Sequence, residues 1–346
     1  MMQFNYSFII PVFNRPQEVK ELLESMLHLN FPSSFEVVIV EDGSTLSSEA
    51  EIEQFREQLG ISYFKKPNTG PGDSRNYGMS RAKGNYFLIL DSDVILPPDY
   101  LAEVDTYLRQ KFTHCFGGPD AAHRNFSDLQ KAINYAMTSF LTTGGIRGKE
   151  RSVDKFQPRS FNMGMSKEAF EASRGFGLIH PGEDPDLSLR LQKLGFETKL
   201  ISKAIVFHKR RINWEKFFVQ VRKFGKVRPI VNKWHPGSGK ITYWFPALFI
   251  SGFALSIIMF FAGLELFLFT FLAYFIIIGI DSALKNKSLN IGFAAIVATF
   301  IQFLGYGIGF LESILKVNIL NQEPQKAFPK LFFQHGRQDQ NKQTLD

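Results

Sequence analysis

The sequence predicts an α/β domain built on a mostly parallel sheet flanked by helices, followed by a basic, aromatic segment and then helices able to cross a membrane. Three observations carry this expectation. Apolar runs alternate with amphipathic segments over the first 208 residues, joined by short connections, which is the pattern of repeated strand–helix units. One of those runs, Tyr86-Phe87-Leu88-Ile89-Leu90, ends abruptly in Asp91-Ser92-Asp93, as a buried strand does when it delivers acids at the carboxyl edge of a sheet. Trp244 to Leu311 is almost wholly apolar and rich in Phe, whereas residues 1–240 mix charged and apolar residues.

Taken in order, Ser7 to Phe13 is the first strand, and Asn14 with Gln17 three residues later has the form of a helix-capping box for a helix from Gln17 to Leu29. Phe35 to Val40 is a second strand, ending in Glu41-Asp42-Gly43-Ser44. A helix from Ser48 to Leu59, a strand from Ile61 to Phe64 and a helix from Asp73 to Lys83 follow, and lead into the strand that opens at Tyr86. Cys115 to Pro119 predicts a strand and a turn, Thr142 to Arg159 a mobile polar loop, and Phe161 to Met165 a short strand that enters a helix at Lys167. A second acidic cluster, Gly182-Glu183-Asp184-Pro185-Asp186, opens an amphipathic helix.

Chemistry concentrates at the strand ends. Asp91 and Asp93 are like charges one residue apart, with no basic neighbour in sequence, and their hard oxygens suit Mg²⁺ or Mn²⁺ carrying a diphosphate; the structural alternative is a turn before a helix cap. Asn68-Thr69-Gly70-Pro71-Gly72 precedes a helix whose first turn holds Arg75, so its backbone amides and that guanidinium can face a phosphate, or the loop is an ordinary turn and cap. It is neither G-x-G-x-x-G nor a P-loop, since the P-loop lysine is missing. Glu183 and Asp184 stand beside a glycine hinge, where a carboxylate either reaches a substrate hydroxyl or serves the helix macrodipole.

This ordered set resembles glycosyltransferase family 2, nucleotide-sugar enzymes of the GT-A fold, a Rossmann-like sheet, over about Tyr6 to Lys226. The resemblance is carried by Phe8-Ile9-Ile10-Pro11-Val12-Phe13-Asn14-Arg15, Glu41-Asp42-Gly43-Ser44, Asn68 to Asn76, Asp91-Ser92-Asp93, Phe161-Asn162-Met163, Gly175-Phe176-Gly177 and Gly182 to Asp186. It implies a donor site drawn from Pro11, Phe13, Asn14, Arg15, Glu41, Asp42, Ser44, Asn68, Gly70, Arg75 and Asp91, with Asp42 at the nucleotide base and Arg75 near the diphosphate. It implies a metal held by Asp91 and Asp93, with His208 able to join. Asp184 is the implied base with Glu183 orienting, and Asn162, Gly164 and Asp186 are expected on the acceptor side. The implied reaction is a single inverting displacement at the anomeric carbon. Ser74 stands where the family usually has Ala.

The chain divides, on this reading, into a catalytic domain at 1–208, a basic interfacial segment at 209–240, a membrane region of two or three helices at 241–315 and a polar tail at 316–346. Basic residues interleaved with aromatics before apolar spans favour an anionic membrane surface over nucleic acid. Gln220 to Phe224 is similar to the Q-x-x-R-W element of processive synthases, but Lys and Phe replace its Arg and Trp, which argues for a non-processive enzyme. The candidate spans are Trp244 to Ala262, Leu266 to Ile280 and Ile291 to Leu311; three crossings set Lys316, Lys326, Lys330 and Arg337 against the positive-inside rule. With no signal segment before the first strand, the catalytic domain is expected in the cytoplasm, on the inner membrane. A single cysteine, Cys115, excludes internal disulfides and fits a reducing compartment. The expected function is transfer of a sugar to a lipid-linked or cell-surface glycan; the rival is a catalytically idle homologue serving as a membrane scaffold or nucleotide-sugar sensor.

Overall fold

The computed structural model describes residues 3–121, 126–144, 156–208 and 213–333. The chain forms two compact units: Met1–Ala121 with Ser152–His208 and Lys330–Asp346, and Ala122–Arg151 with Lys209–Pro329. The boundary therefore differs from a simple cut at residue 208. Residues 122–151 join the C-terminal unit, and the chain from Lys330 returns to the N-terminal one. Most of the expected polar loop, residues 145–155, and the basic cluster 209–212 lie outside the described residues.

In chain order the elements of the first 143 residues are β1 (Tyr6–Val12), α1 (Pro16–Leu27), β2 (Glu36–Asp42), α2 (Glu49–Glu53), β3 (Gly60–Lys66), α3 (Pro71–Arg81), β4 (Tyr86–Leu90), β5 (Val94–Ile95), α4 (Tyr100–Gln110), β6 (Cys115–Gly117), β7 (Asp120–Ala121), α5 (Asp128–Thr138) and α6 (Phe140–Thr143). After them come β8 (Asn162–Ser166), α7 (Lys167–Ser173), α8 (Glu183–Lys193), β9 (Thr198–Leu200), β10 (Val206–His208), α9 (Trp214–Trp234), α10 (Phe245–Phe261), α11 (Leu266–Asn286), α12 (Leu289–Ser313) and α13 (Pro324–Ala327). The main sheet has seven strands in the order β3-β2-β1-β4-β8-β6-β9, and β5, β10 and β7 form a small second sheet. β1, β2, β3 and β4 run parallel, and β8 runs antiparallel between β4 and β6.

Strand periodicity explains why both faces are covered. Phe8, Ile10, Val37, Ile39, Leu88 and Leu90 point to one face, against Val19, Leu22 and Leu23 of α1 and Leu101 and Val104 of α4. Ile9, Val38, Val40, Phe87 and Ile89 point to the other, against Met79 of α3 and Leu187 and Leu191 of α8. Runs buried on both faces are the mark of a parallel sheet, and the alternation sorts them cleanly. Gly78 lets α3 lie close to the sheet, since a Cβ there would be 2.8 Å from Ile9. Cys115 is buried in this core, as expected. The helix expected from Ser48 to Leu59 is cut short at Glu53.

β8 corrects two expected acceptor residues. Asn162 is fully buried, its Oδ1 accepting from the Tyr100 hydroxyl at 2.7 Å and its Nδ2 donating to the Ala204 carbonyl at 2.7 Å. Gly164 faces the Phe116 ring, where a Cβ would lie 1.9 Å away. Both hold strands together.

In the C-terminal unit, three helices are long and apolar enough to cross a membrane: Ile241–Phe261, Leu266–Asn286 and Leu289–Ile319. The second is longer than the expected span and runs on to Asn286; the third ends in a π-helical stretch, Ile314–Ile319. α9 packs on α12 through glycines, and a Cβ at Gly225 would be 2.1 Å from the Tyr306 carbonyl, one at Gly309 2.2 Å from that of Arg222. The basic residues of α9, expected to face lipid headgroups, are largely engaged inside the unit. Arg222 and Lys226 meet Glu312 at 3.1 and 3.0 Å with Lys316 at 3.2 Å, and Lys233 donates to the Val317 carbonyl at 2.7 Å.

Replacing Asn162 with Ala strands the Tyr100 hydroxyl and the Ala204 carbonyl, so stability should fall by about 2–4 kcal/mol. A denaturation midpoint close to that of the parent would show that the sheet does not depend on this amide.

Candidate active site

Because β2, β1 and β4 are adjacent and parallel, the residues that follow them arrive at one edge. Asp42 ends β2, Phe13 to Arg15 follow β1, and Asp91 to Asp93 follow β4. α3 and α8 begin at the same edge, since a Cβ on Gly72 in the first turn of α3 would be 2.8 Å from the Gly177 carbonyl and 4.0 Å from Glu183.

The centre is Arg75, with only 3% of its side chain exposed. Its Nη2 donates to Asp91 Oδ1 at 2.7 Å and its Nη1 to Glu183 Oε1 at 3.3 Å. Glu183 Oε1 is shared with Nδ1 of His180 at 2.8 Å. Phe176 lies 5.3 Å from the guanidinium, ring centroid to carbon. Asp184 follows Glu183 in the first turn of α8, hydrogen-bonded to Ser160, and its Oδ1 is buried without a hydrogen-bond partner among the described residues.

The two neighbouring acids are driven in opposite directions. Burial disfavours charge on Glu183, but His180 and then Arg75 outweigh it, so its pKa is lowered to about 2. Burial, then the charge of Glu183, push Asp184 up, against the weaker opposing pull of Arg75. Burial works against the charged form of His180 as well, and Glu183 reverses this, so its pKa is raised. The result is a fixed anion beside a carboxyl poised near neutrality.

The donor-side residues fall into two groups. Arg15, Arg75 and Asp91 meet at the edge, with Arg15 paired to Asp93. Phe13 is 49% exposed there, and Pro11 is half-buried within β1, paired with Val40. The others hold loops in place. Asn14 does not cap α1, since Arg15 occupies that position without a side-chain cap. Its φ is 54°, its amide oxygen accepts from the Thr45 and Leu46 backbone at 2.8 and 2.9 Å, and its own N–H donates to Ser44 Oγ at 2.8 Å. Glu41 accepts from Ser48 N–H at 3.0 Å and the Tyr63 hydroxyl at 2.9 Å.

Asp42, expected at the nucleotide base, is 3% exposed and grips the loop before α3. Its carboxylate accepts from Thr69 N–H and Gly70 N–H, each at 3.0 Å, and from Lys66 at 2.5 Å, and its carbonyl accepts from Asn68 at 3.0 Å. Gly70, with φ 96°, is the N-cap of α3. On the acceptor side, Asp186 is bound by Arg190 at 2.9 Å, and Arg190 also holds the Gly175 carbonyl at 2.7 Å, so Asp186 anchors the loop before α8 and does not face a substrate. Sequence reasoning missed His180, Lys66 and Ser160, none of which lies in a motif or on a periodic face.

For a metal, the test is the donor set. Asp91 and Asp93 are each paired with an arginine, Arg75 and Arg15, and their oxygens are the hard donors that a divalent ion takes. Among the described residues no group of three or more His, Cys, Asp or Glu is placed to hold a metal. The backbone of His208 pairs with Val94, next to Asp93, and its side chain is outside the described residues.

The raised pKa of Asp184 has a consequence for stability. Its folded value, about 6, exceeds the ordinary carboxylate value of 3.8, so its contribution is fully present below about pH 4 and is lost as pH rises through 6. Asp184→Asn should therefore stabilise the protein at pH 7.5, by about 3 kcal/mol, and change it little at pH 4. Melting curves of both proteins across that range check it; equal melting temperatures at pH 7.5 would show the carboxyl is not destabilised there.

Comparison with known proteins agrees with this geometry. Residues 7–173 match the family described as Glycosyl transferase family 2. The poly(ribitol-phosphate) beta-N-acetylglucosaminyltransferase TarS of Staphylococcus aureus (strain Mu50) is 33% identical over 111 residues, 31% of this chain and 19% of TarS. Glycosyltransferase GlyA of Streptococcus pneumoniae serotype 4 is 33% identical over 94 residues, 27% of this chain and 13% of GlyA. The match thus spans a fifth or less of those relatives. Among solved structures, the mannosyltransferase PcManGT of Pyrobaculum calidifontis, in complex with GDP-Man and Mn²⁺, has a TM-score of 0.55 at 15% identity, covering 93% of this chain and 89% of that one. Residues 1–349 of S. aureus TarS have a TM-score of 0.50 at 15% identity, covering 92% of each. Residues 7–173 carry a glycosyltransferase family 2 domain, within a GT-A-type fold, and among the described residues three helices long and apolar enough to cross a membrane follow it.

Proposed function

We propose that the protein is a membrane-anchored, nucleotide-sugar-dependent glycosyltransferase that inverts the anomeric centre and acts on a lipid-linked or cell-surface glycan, without processivity. The observation that carries this reading is Asp184: a carboxyl with a raised pKa and a buried, unpartnered Oδ1, at the start of α8, beside the Arg75–Glu183–Asp91 cluster. An idle scaffold has no use for such a group, which destabilises the fold at neutral pH. The names of the relatives support the class: TarS is named for transfer of N-acetylglucosamine to poly(ribitol-phosphate), and PcManGT holds GDP-Man and Mn²⁺. The apolar helices support an anchor in a membrane, and on this reading it is the inner membrane with the catalytic domain in the cytoplasm.

In the mechanism, the acceptor hydroxyl approaches the face of the sugar opposite the diphosphate. Its oxygen forms a bond to the anomeric carbon as the bond from that carbon to the diphosphate oxygen breaks, and its proton passes to Asp184. Glu183, fixed as an anion by Arg75 and His180, keeps Asp184 basic enough to accept it. Arg75 and Arg15, at the same edge as the phosphate-facing loop, stabilise the charge that develops on the leaving diphosphate. A divalent ion, Mg²⁺ or Mn²⁺, would be held by Asp91 and Asp93, with His208 as a further ligand, and would supply Lewis-acid neutralisation of that same charge.

The test is a screen of nucleotide sugars against the full-length protein in nanodiscs, with Mn²⁺ or Mg²⁺, scored by released nucleotide. For the sugar that is accepted, Asp184→Asn should lower turnover by about 10²–10⁴ with donor affinity nearly unchanged. Turnover within a few-fold of the parent would remove Asp184 as the base. Asp93→Ala should weaken Mn²⁺-dependent donor binding by at least ten-fold, while metal-independent donor binding in calorimetry would sink the metal assignment.

A further inference from the structure

The tail contains an apolar triplet, Leu331-Phe332-Phe333, set among Gln322, Glu323, Lys326 and Lys330 on one side and Gln334 on the other. Three apolar residues in a polar tail call for a place to be buried, and in the N-terminal unit they have one. His180 N–H donates to the Leu331 carbonyl at 2.7 Å, and Phe333 N–H donates to the Leu178 carbonyl at 3.1 Å, so Ile179 and Phe332 face each other in an antiparallel bridge. Leu331 is 3% exposed and Ile179 2%.

The ring of Phe333 lies over Gly70, where a Cβ would be 2.4 Å from it, and 6.2 Å from the His180 ring. Gly70 thus needs to be glycine for Phe333 as well as for its left-handed φ. This places one short segment on two loops at once. Through its backbone it holds the loop 178–180, whose His180 orients Glu183; through Phe333 it covers Gly70, the N-cap of the helix that carries Arg75.

We propose that Leu331–Phe333 is a positioning strap of the active site, fixing the donor-side loop at Gly70 and the base-side loop at His180 in register. The segment touches no reacting group, so it acts through His180 and Gly70. It follows the candidate membrane spans in the chain yet packs on the N-terminal unit, which requires an even number of crossings between the two. The proposal rests on the transferase reading for its effect on rate, but its effect on the two loops is independent of that reading.

The experiment compares the full-length parent with Phe333→Ala, both in nanodiscs, by steady-state kinetics on the accepted donor and by hydrogen exchange. A loose constellation costs rate more than binding, so kcat should fall about 10–100-fold with donor KM within three-fold. Amide exchange should rise in peptides covering 68–72 and 176–186, with the strands β1, β2 and β4 as protected as in the parent. Unchanged exchange in those two loops overturns the strap, as does a kcat equal to or above the parent's, which would make the tail idle or inhibitory. Should the parent turn over no donor, the transferase reading fails by itself, and exchange alone decides the strap.

Discussion

A buried guanidinium governs this site. Arg75 is a full charge in a place water does not reach, tolerable only because Asp91 and Glu183 supply anions within hydrogen-bonding distance. That requirement ties together the first turn of α3, the turn after β4 and the first turn of α8. Removing either acid would leave Arg75 with one anion in place of two. The position of Arg75 depends in turn on Asp42, which grips the backbone of Thr69 and Gly70 where α3 begins. An acid expected to read a base is in this way bound to the start of the helix that carries Arg75.

The sheet was legible because its signal is local. Runs such as Phe8 to Val12 and Tyr86 to Leu90 are buried on both faces, and the second ends in Asp91-Ser92-Asp93, as a strand that delivers acids at a sheet edge does. Asp91, Arg75 and Glu183-Asp184 stand out for the same reason, and the fold brings them to one edge. What escaped depends on partners remote in sequence. Asn14 has the spacing of a capping box, yet the Thr45–Leu46 turn, thirty residues on, competes better for its side chain and draws its backbone into the left-handed region. Asn162 sits in a motif and looks functional, but Tyr100 and Ala204 hold it in the core. His180 and the Leu331–Phe333 bridge belong to no period and no motif, and only the folded chain brings them to Glu183.

The C-terminal unit shows the same limit on charge. Basic residues along α9 have the composition of a membrane-surface helix, but Glu312, ninety residues from Arg222, collects three cations, two of them from α9, Arg222 and Lys226, together with Lys316. Lys316, one of the residues that set the tail against the positive-inside rule, is among them, and a paired lysine weighs less in that balance than a free one. Glycines at Gly225, Gly305 and Gly309 explain how α9 comes so near α12 that these long side chains meet one carboxylate. A charge pattern read along one helix says which residues are charged; what they face is decided by the helix that packs against it.

Neighbouring carboxyls in one helical turn ought to behave alike, since both feel the same macrodipole. Glu183 and Asp184 do not, because the first reaches His180 and Arg75 while the second keeps one oxygen unpartnered. The cations that hold Glu183 ionised make it a permanent negative charge, and that charge is the reason, after burial, that Asp184 resists losing its proton. Arg75 therefore acts on Asp184 in two opposing ways: directly it favours the carboxylate, and through Glu183 it disfavours it. The second effect combines with burial and prevails. A group that only caps α8 would gain from the opposite arrangement, ionised and facing the helix amides, so the balance of charges around Asp184 works against helix stability.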